Sequence, residues 1–259
     1  KSAEIASNNR RTLGIGVTNL AYYLAKNDAK YSDGSGNDLI HKTFEALQYY
    51  SLKASNKLAE ELGPCPLFSE TQYAKGIMPI DSYKKDIDAF CSTKLELDWD
   101  TLRKNIKSKG LRNSTLTALM PCESSSQISN STNGIEPPRG FISVKQSKDG
   151  ILKQVVPEYE KLHKKYELLW DIKDNEGYLQ LCAIMQKFVD QSISTNTHYD
   201  PSQFEGSRVP MKLFLMDLLK AYKYGIKTLY YHTTRDGSGD DQNNTKQGDD
   251  DCEDGVCKL

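Results

Sequence analysis

Two cysteines lie close together at the carboxyl end of the chain, Cys252 and Cys257. The surrounding segment, residues 236–259, carries eight acidic residues, two lysines and hardly any apolar side chain. This composition cannot bury enough surface to offset the entropy of ordering, so we expect the segment to be disordered. A pair of thiols on a mobile tether can carry electrons by moving between two sites. The alternative interpretation is an acidic tail with no role in chemistry.

The spacing of these cysteines argues against a metal site in the tail. Four residues separate them, and no second pair or suitable histidine lies nearby in the sequence. A structural zinc site needs four such ligands. The four histidines of the chain are scattered and form no ligand pattern. We therefore predict that this chain binds no metal.

A long loop of small polar residues follows a predicted buried strand, Thr115–Met120. Small side chains let backbone N–H groups converge on an anion at the carboxyl end of a strand, which suits a phosphate. A helix that opens at Ser126 would add its dipole to the attraction. The alternative is an ordinary polar loop with a helix cap. The candidate phosphate-binding residues are Pro121, Cys122, Glu123, Ser124 and Ser125.

Two adjacent tyrosines, Tyr230 and Tyr231, stand in a predicted strand near the end of the folded part of the chain. Tyrosine can be oxidised to a radical at a potential that biology reaches. Adjacent strand residues normally point to opposite faces of a sheet. The competing interpretation is therefore structural, with one ring packed in the core and the other at the surface with its hydroxyl satisfied.

The first half of the chain is predicted to be mainly helical. A long amphipathic helix begins near Asn37 or Asp38, either of which can cap it, and ends at Gly63. Residues 64–100 read as a loop with short helical pieces, followed by a helix over Trp99–Lys109. The pattern Gly14-x-Gly16 lacks the third glycine of a nucleotide-binding loop and indicates a close backbone approach instead.

The second half alternates between predicted strands and helices, which indicates an α/β fold. The strand patterns are rich in β-branched and aromatic residues, and proline or glycine bounds several of the helical ones. The predicted elements are a hairpin (Phe141–Gln146 and Ile151–Val156), helices over 157–170 and about 175–191, a strand (Ile193–Tyr199), a helix (Met211–Tyr224) and a strand (Ile226–Thr233).

Composition limits the classes of function. The chain has 259 residues, of which 37% are hydrophobic and 27% charged. The tail contributes −6 to a net charge of −1, which leaves +5 on residues 1–235. No basic run with interleaved aromatics indicates nucleic-acid binding, and no apolar stretch approaches the ~20 residues of a membrane span. Six cysteines are few for a secreted disulfide scaffold, so we expect a cytoplasmic protein. The start at Lys1 indicates a processed product or part of a longer polypeptide.

Four segments together resemble one enzyme family: RRTLGIGVTNLAYYLA, MPCESSSQISNSTNGIEPPRG, TLYYHTTRDG and CEDGVC. They are similar to the carboxyl-terminal part of the large, catalytic subunit of class Ia ribonucleotide reductase, in its enterobacterial and T4-like phage branch. The similarity runs from about Arg10 to Leu259. It implies the closing strands of a ten-stranded α/β barrel over residues 1–140 and 211–235, a small α+β elaboration over 141–210 and a flexible redox tail over 236–259.

The resemblance also implies a role for each candidate residue. The loop from Pro121 to Ser125 matches the family loop that binds the substrate diphosphate, although Cys122 stands where the family usually has a hydroxyl residue. Tyr230 and Tyr231 match a stacked pair that relays a radical, with Tyr231 nearer the small subunit. Cys252 and Cys257 match the shuttle pair that reduces an active-site disulfide and is recharged by thioredoxin or glutaredoxin.

The family's radical-bearing cysteine lies in an N-x-C-x-E motif that none of the six cysteines here matches. The resemblance therefore implies an amino-terminal partner that carries this cysteine and the sites for allosteric nucleotides. The radical would come from a metal-containing small subunit, and this chain would bind no cofactor itself. A runner-up hypothesis is a non-catalytic fragment that docks the small subunit. A third is a free-standing thiol carrier, which the lack of a C-x-x-C motif disfavours.

Overall fold

The computed structural model describes residues 1–147 and 150–235, together with residues 252–253 and 256–257. The described chain is α/β, as the sequence predicts. Its helices are α1 (Ser2–Arg10), α2 (Leu20–Lys26), α3 (Asn37–Leu62), α4 (Trp99–Lys109), α5 (Glu123–Ile128), α6 (Tyr159–Leu162), α7 (Glu176–Gln186) and α8 (Met211–Tyr224). Its strands are β1 (Ile142–Ser147), β2 (Gly150–Val155), β3 (Thr195–Tyr199), β4 (Leu229–Thr234), β5 (Cys252–Glu253) and β6 (Val256–Cys257).

Four extended segments of the chain pair in parallel and in chain order. Ile15 bridges to Thr117, Leu119 bridges to Ile193, and β3 pairs with β4. The predicted strand Thr115–Met120 is thus central in this arrangement, although it forms isolated bridges and no continuous strand. No closed barrel is present among the described residues. β1 and β2 form the predicted hairpin as a separate antiparallel pair.

Gly16 lies where two of these segments approach each other closely. A Cβ atom at this position would lie 2.8 Å from the carbonyl oxygen of Ala118. Real Cβ atoms do not approach backbone so closely, so only glycine fits here. The glycine pattern therefore serves packing, as its sequence indicates.

The long helix α3 has the predicted length and ends at Gly63 as predicted, but the predicted cap at its amino end is wrong. No side chain caps its first turn. The Asp38 carboxylate instead accepts bonds from the backbone amides of Ser92 and Thr93, at 2.8 and 3.0 Å. The Asn37 amide donates to the carbonyl oxygen of Phe90. Both side chains therefore hold the irregular segment that precedes α4 against the start of α3.

The predicted helix over 157–170 is wrong for most of its length. Only Tyr159–Leu162 and a short 3-10 turn, Leu169–Asp171, are helical. Glu158 adopts a left-handed conformation, with φ of 50°, just before the first of these. The backbone amide of Leu169 bonds the carbonyl oxygen of Pro138 across the fold. Tertiary contacts therefore bury the apolar residues of this segment without a regular helix.

Helix α7 begins close to the predicted position but ends at Gln186, before the predicted residue 191. Carbonyl groups beyond its end face side-chain donors. The Gln186 amide donates to the carbonyls of Val189 and Gln191, and the Lys227 ammonium donates to those of residues 189, 190 and 191. The helix can end at Gln186 because these side chains bond carbonyls that would otherwise lack partners.

The hydrophobic core lies between α2, α3, α4 and α7 and the parallel segments. Leu24, Phe44, Ile106, Met185 and Phe188 are among its fully buried residues. Within the predicted elaboration, residues 141–210, the hairpin stands apart, whereas α7 and Ile193, two residues before β3, contribute to this central core. Thr195 and Thr197 of β3 are fully buried, and β3 pairs with β4.

The predicted disordered tail lies largely outside the described residues. The described parts are β5 and β6, which pair antiparallel with Cys252 opposite Cys257. No helix among the described residues is long and apolar enough to cross a membrane.

Candidate functional site

The serine-rich loop forms the beginning of a short helix. α5 begins at Glu123, three residues before the predicted start at Ser126. Its first helical bond joins the Ser126 amide to the carbonyl oxygen of Cys122. The amides of Ser124 and Ser125 therefore lie in the first turn, where a helix offers no acceptor of its own. Such amides are available to an anion.

Asn133 organises this turn from the far end of the loop. Its side-chain oxygen accepts a bond of 2.7 Å from the backbone amide of Cys122, and its amide nitrogen donates to the Glu123 carboxylate. The Cys122 amide is thus already occupied. Partial burial raises the pKa of the Cys122 thiol, so this group is a neutral thiol at pH 7.

A cavity of about 260 Å³ opens beside α5. Among the predicted phosphate-binding residues, Glu123 reaches its wall, whereas Pro121, Cys122, Ser124 and Ser125 do not line it. The rest of the wall comes from the end of α5, the following loop and the β1–β2 hairpin. Polar side chains in that wall include Ser126, Asn133, Glu136, Arg139 and Gln154.

Tyr230 and Tyr231 lie side by side on β4. Their ring centroids are 4.1 Å apart with an angle of 46° between the planes, and the Tyr231 hydroxyl donates to that of Tyr230 at 3.3 Å. Their exposed fractions are 53% and 57%. The structural alternative, with one ring in the core, is therefore wrong for this pair.

A β-bulge explains why the two rings lie together. Thr195 pairs with Leu229, and Thr197 pairs with His232. One residue of β3, Asn196, therefore opposes two residues of β4, Tyr230 and Tyr231. Such an extra residue breaks the alternation of side chains between the two faces of a sheet. The side chains of Tyr230 and Tyr231 therefore do not point to opposite faces of the sheet, as neighbouring residues of a regular strand do.

Asn196 connects the tyrosine pair to the cavity. Its side-chain oxygen accepts a bond of 2.9 Å from the backbone amide of Tyr231, and its amide nitrogen donates to the Glu136 carboxylate at 2.5 Å. Burial raises the pKa of Glu136. His198, on the same strand, lies 3.6 Å from Glu136, and burial, with a smaller contribution from Arg139, lowers the pKa of this histidine to about 4.

Comparison with known proteins identifies the family of this chain. The family model described as the barrel domain of ribonucleotide reductase matches residues 1–232. The chain belongs to this family.

Curated members of the ribonucleotide reductase family are similar to the chain over almost its whole length. Ribonucleoside-diphosphate reductase 1 subunit alpha of Escherichia coli K12 is 66% identical over 252 residues, which are 96% of this chain and 33% of that protein. The subunit alpha of Haemophilus influenzae is 66% identical over 258 residues, and that of phage T4 is 53% identical over 253 residues. The chain spans about a third of the length of these reductase subunits.

Three residues of the candidate site are absent from the sequence-based prediction: Asn133, Glu136 and Asn196. Asn133 bonds across its own loop, and Glu136 and Asn196 bond to each other and to β4 over long stretches of chain, so no local spacing reveals them. A buried-strand pattern with an amide in its middle, at Asn196, is the one available signal, because a buried polar side chain needs a partner. No group of three metal-ligating side chains is present in the described ranges.

Proposed function

We propose that this chain takes part in the reduction of ribonucleoside diphosphates to deoxyribonucleoside diphosphates by radical chemistry, as part of a large, catalytic reductase subunit. The observation that carries the proposal is the contact between the hydroxyl groups of Tyr230 and Tyr231. Membership of the ribonucleotide reductase family supports it.

The proposed relay moves one electron and one proton along the tyrosine pair. When the phenol of Tyr231 has lost a hydrogen atom, the neighbouring phenol of Tyr230 donates one, and the radical moves to Tyr230. A hydroxyl contact of 3.3 Å between adjacent, tilted rings suits this transfer. Tyr231 would receive the radical from a metal-containing small subunit, and Tyr230 would pass it toward a cysteine in an amino-terminal partner. No cofactor is proposed for this chain itself.

The proposed substrate site lies at α5. The loop from Pro121 to Ser125 would hold the diphosphate through the first-turn amides of Ser124 and Ser125. The backbone amide of Cys122 is already bonded to Asn133. Cys122 would therefore shape the loop and would not donate its amide to the diphosphate. Arg139, in the wall of the adjacent cavity, adds positive charge near the anion.

Cys252 and Cys257 are the proposed reducing pair. One thiolate would attack a disulfide in the partner portion, the second would release the first, and the tail would leave as a disulfide with both electrons transferred. Thioredoxin or glutaredoxin would then reduce the tail. In the same proposal the four parallel segments belong to a ten-stranded barrel, completed by the partner portion, which also binds the allosteric nucleotides.

Reconstitution tests the relay. The chain is mixed with the amino-terminal portion of a T4-like or enterobacterial large subunit and with its small subunit, and the reduction of CDP is measured. We expect turnover, and we expect Tyr230→Phe to abolish it, because phenylalanine cannot carry the radical. Tyr222→Phe, at an exposed tyrosine of α8, is the control and should retain activity. A complex that forms but does not turn over would favour a docking fragment instead.

The tail is tested with two reductants in the same assay. The pair of changes Cys252→Ser and Cys257→Ser should abolish turnover driven by thioredoxin, because no other thiol of the chain sits on the tail. Turnover driven by a small dithiol such as dithiothreitol should persist, since it can reach the active-site disulfide directly. Cys91→Ser is the matched control. Thioredoxin-driven activity in the double variant would contradict the assignment.

A further inference from the structure

The bulge in β4 contains a backbone amide that bonds a side chain of the neighbouring strand. Two residues of β4, Tyr230 and Tyr231, face one residue of β3, Asn196. The side-chain oxygen of Asn196 accepts this bond at 2.9 Å. Asn196 is 8% exposed, so water is not a ready substitute. An amide left unpaired here would favour a strand without the bulge.

The same side chain is held on its other side by the loop of the cavity. Its amide nitrogen donates to the Glu136 carboxylate at 2.5 Å. This bond fixes which end of the side chain faces the bulge, because a carboxylate accepts and cannot donate. Glu136 lies in the cavity wall. Two hydrogen bonds therefore join the cavity to the backbone of Tyr231.

The contact between the two tyrosine rings depends on the bulge. In a regular strand, neighbouring side chains point to opposite faces, and the two rings would separate. In β4 the centroids are 4.1 Å apart. A group that stabilises the bulge therefore also stabilises the contact between the hydroxyls.

We propose that Asn196 is a positioning residue, oriented by Glu136, that holds the β4 bulge and so keeps the rings of Tyr230 and Tyr231 side by side. The role in catalysis rests on the proposed radical relay. The structural role does not, and it is measurable in the chain alone.

The structural test uses the whole 259-residue chain with 3-fluorotyrosine at position 230 or 231. Asn196→Leu removes both hydrogen bonds at similar volume. We expect the Tyr231 amide to exchange about tenfold faster or more, since a buried bond is lost. We also expect both fluorine resonances to move toward the positions of the labelled chain in urea. An unchanged amide exchange rate and unchanged resonances would overturn the proposal.

A double variant tests the direction of the bonds. Asn196→Asp keeps an acceptor for the Tyr231 amide but sets a carboxylate against Glu136, so we expect the bulge and the contact between the two rings to be weakened. Combining it with Glu136→Gln restores a donor–acceptor pair with the direction reversed. We expect the exchange rate of the Tyr231 amide to be within about twofold of that in the unchanged chain. We expect the fluorine resonances to return to their positions in the unchanged chain. A double variant that behaves like Asn196→Leu would contradict the proposal. If Asn196→Leu does not fold, the comparison of Asn196→Asp with the double variant tests the proposal by itself.

Thr197→Val is the matched control on the same strand. It removes the bond of 2.6 Å between the Thr197 hydroxyl and His232 but leaves the bulge intact. We expect lower stability with unchanged Tyr231 exchange. In the reconstituted assay, Asn196→Leu should lower kcat at least tenfold, with KM for CDP changed less, and the double variant should recover it. Failure of the unchanged chain to turn over would reject the relay, while the exchange results would still decide the role of Asn196.

Discussion

At the scale of single residues, the site contains buried titratable groups whose pKa values are shifted by burial. His198 is a clear case, because neither ring nitrogen has a hydrogen-bond partner among the described residues. Burial favours its neutral form and lowers its pKa to about 4. In the unfolded chain the same histidine has the ordinary value of 6.5. The unfolded state therefore binds a proton at a higher pH than the folded state does.

This difference predicts a pH dependence of stability. The contribution of His198 is fully present above pH 6.5 and is lost as the pH falls toward about 4, by up to about 3 kcal/mol. Urea unfolding at pH 7 and at pH 4.5 measures it. His198→Asn should reduce the loss of unfolding free energy between pH 7 and pH 4.5. His163→Asn, at a partly exposed histidine, should leave that loss unchanged. The raised pKa of Glu136 acts in the opposite direction, so the variants are compared with the unchanged chain at each pH.

At the scale of elements, the sequence predicts what local chemistry determines. The proline and glycine on either side of α8, at positions 210 and 225, mark its bounds correctly. The helix predicted over 157–170 fails because its apolar residues are buried by distant contacts and not by a helical face. The bulge could not be predicted either, since it is a relation between two strands that the sequence of β4 alone does not contain.

The end of α8 offers a test of such local chemistry. Gly225 has φ of 79°, and a Cβ atom there would lie 2.6 Å from Cγ of Lys84. Gly225→Ala should lower the free energy of unfolding by about 2 kcal/mol, through backbone strain and the clash. Gly206→Ala is the control, because φ is 62° and nothing lies within 4 Å, so we expect about 1 kcal/mol. Equal losses in thermal or urea unfolding would contradict the clash.

At the scale of the whole molecule, one helix carries a broad apolar surface. Met211, Leu215, Leu219 and Tyr222 follow a helical spacing along α8 and are between 48% and 77% exposed. Monomeric proteins rarely expose a contiguous apolar patch of this kind. The positions of these residues are visible in the sequence, but their exposure is not, because the same spacing is typical of a helix that packs on a core.

We expect the isolated chain to associate at high concentration through this face of α8. Changing Leu215→Lys and Leu219→Lys together should shift sedimentation velocity profiles toward the monomer, because charge on the patch opposes its burial. Asn8→Lys with Ser108→Lys adds the same charge at exposed polar sites and is the control. Equal association of both double variants would show that net charge, not the α8 face, controls the behaviour.

The bulge also separates what the fold requires from what the proposed chemistry requires. If β4 were shorter by one tyrosine, Leu229 and His232 could still face Thr195 and Thr197 in an unbroken ladder. A chain without that codon would lose the partner ring, and the buried Asn196 oxygen would lose the donor it has in the bulge. The pairs on either side would be the same. The extra residue of the bulge therefore adds a second ring to the strand without changing which flanking residues pair.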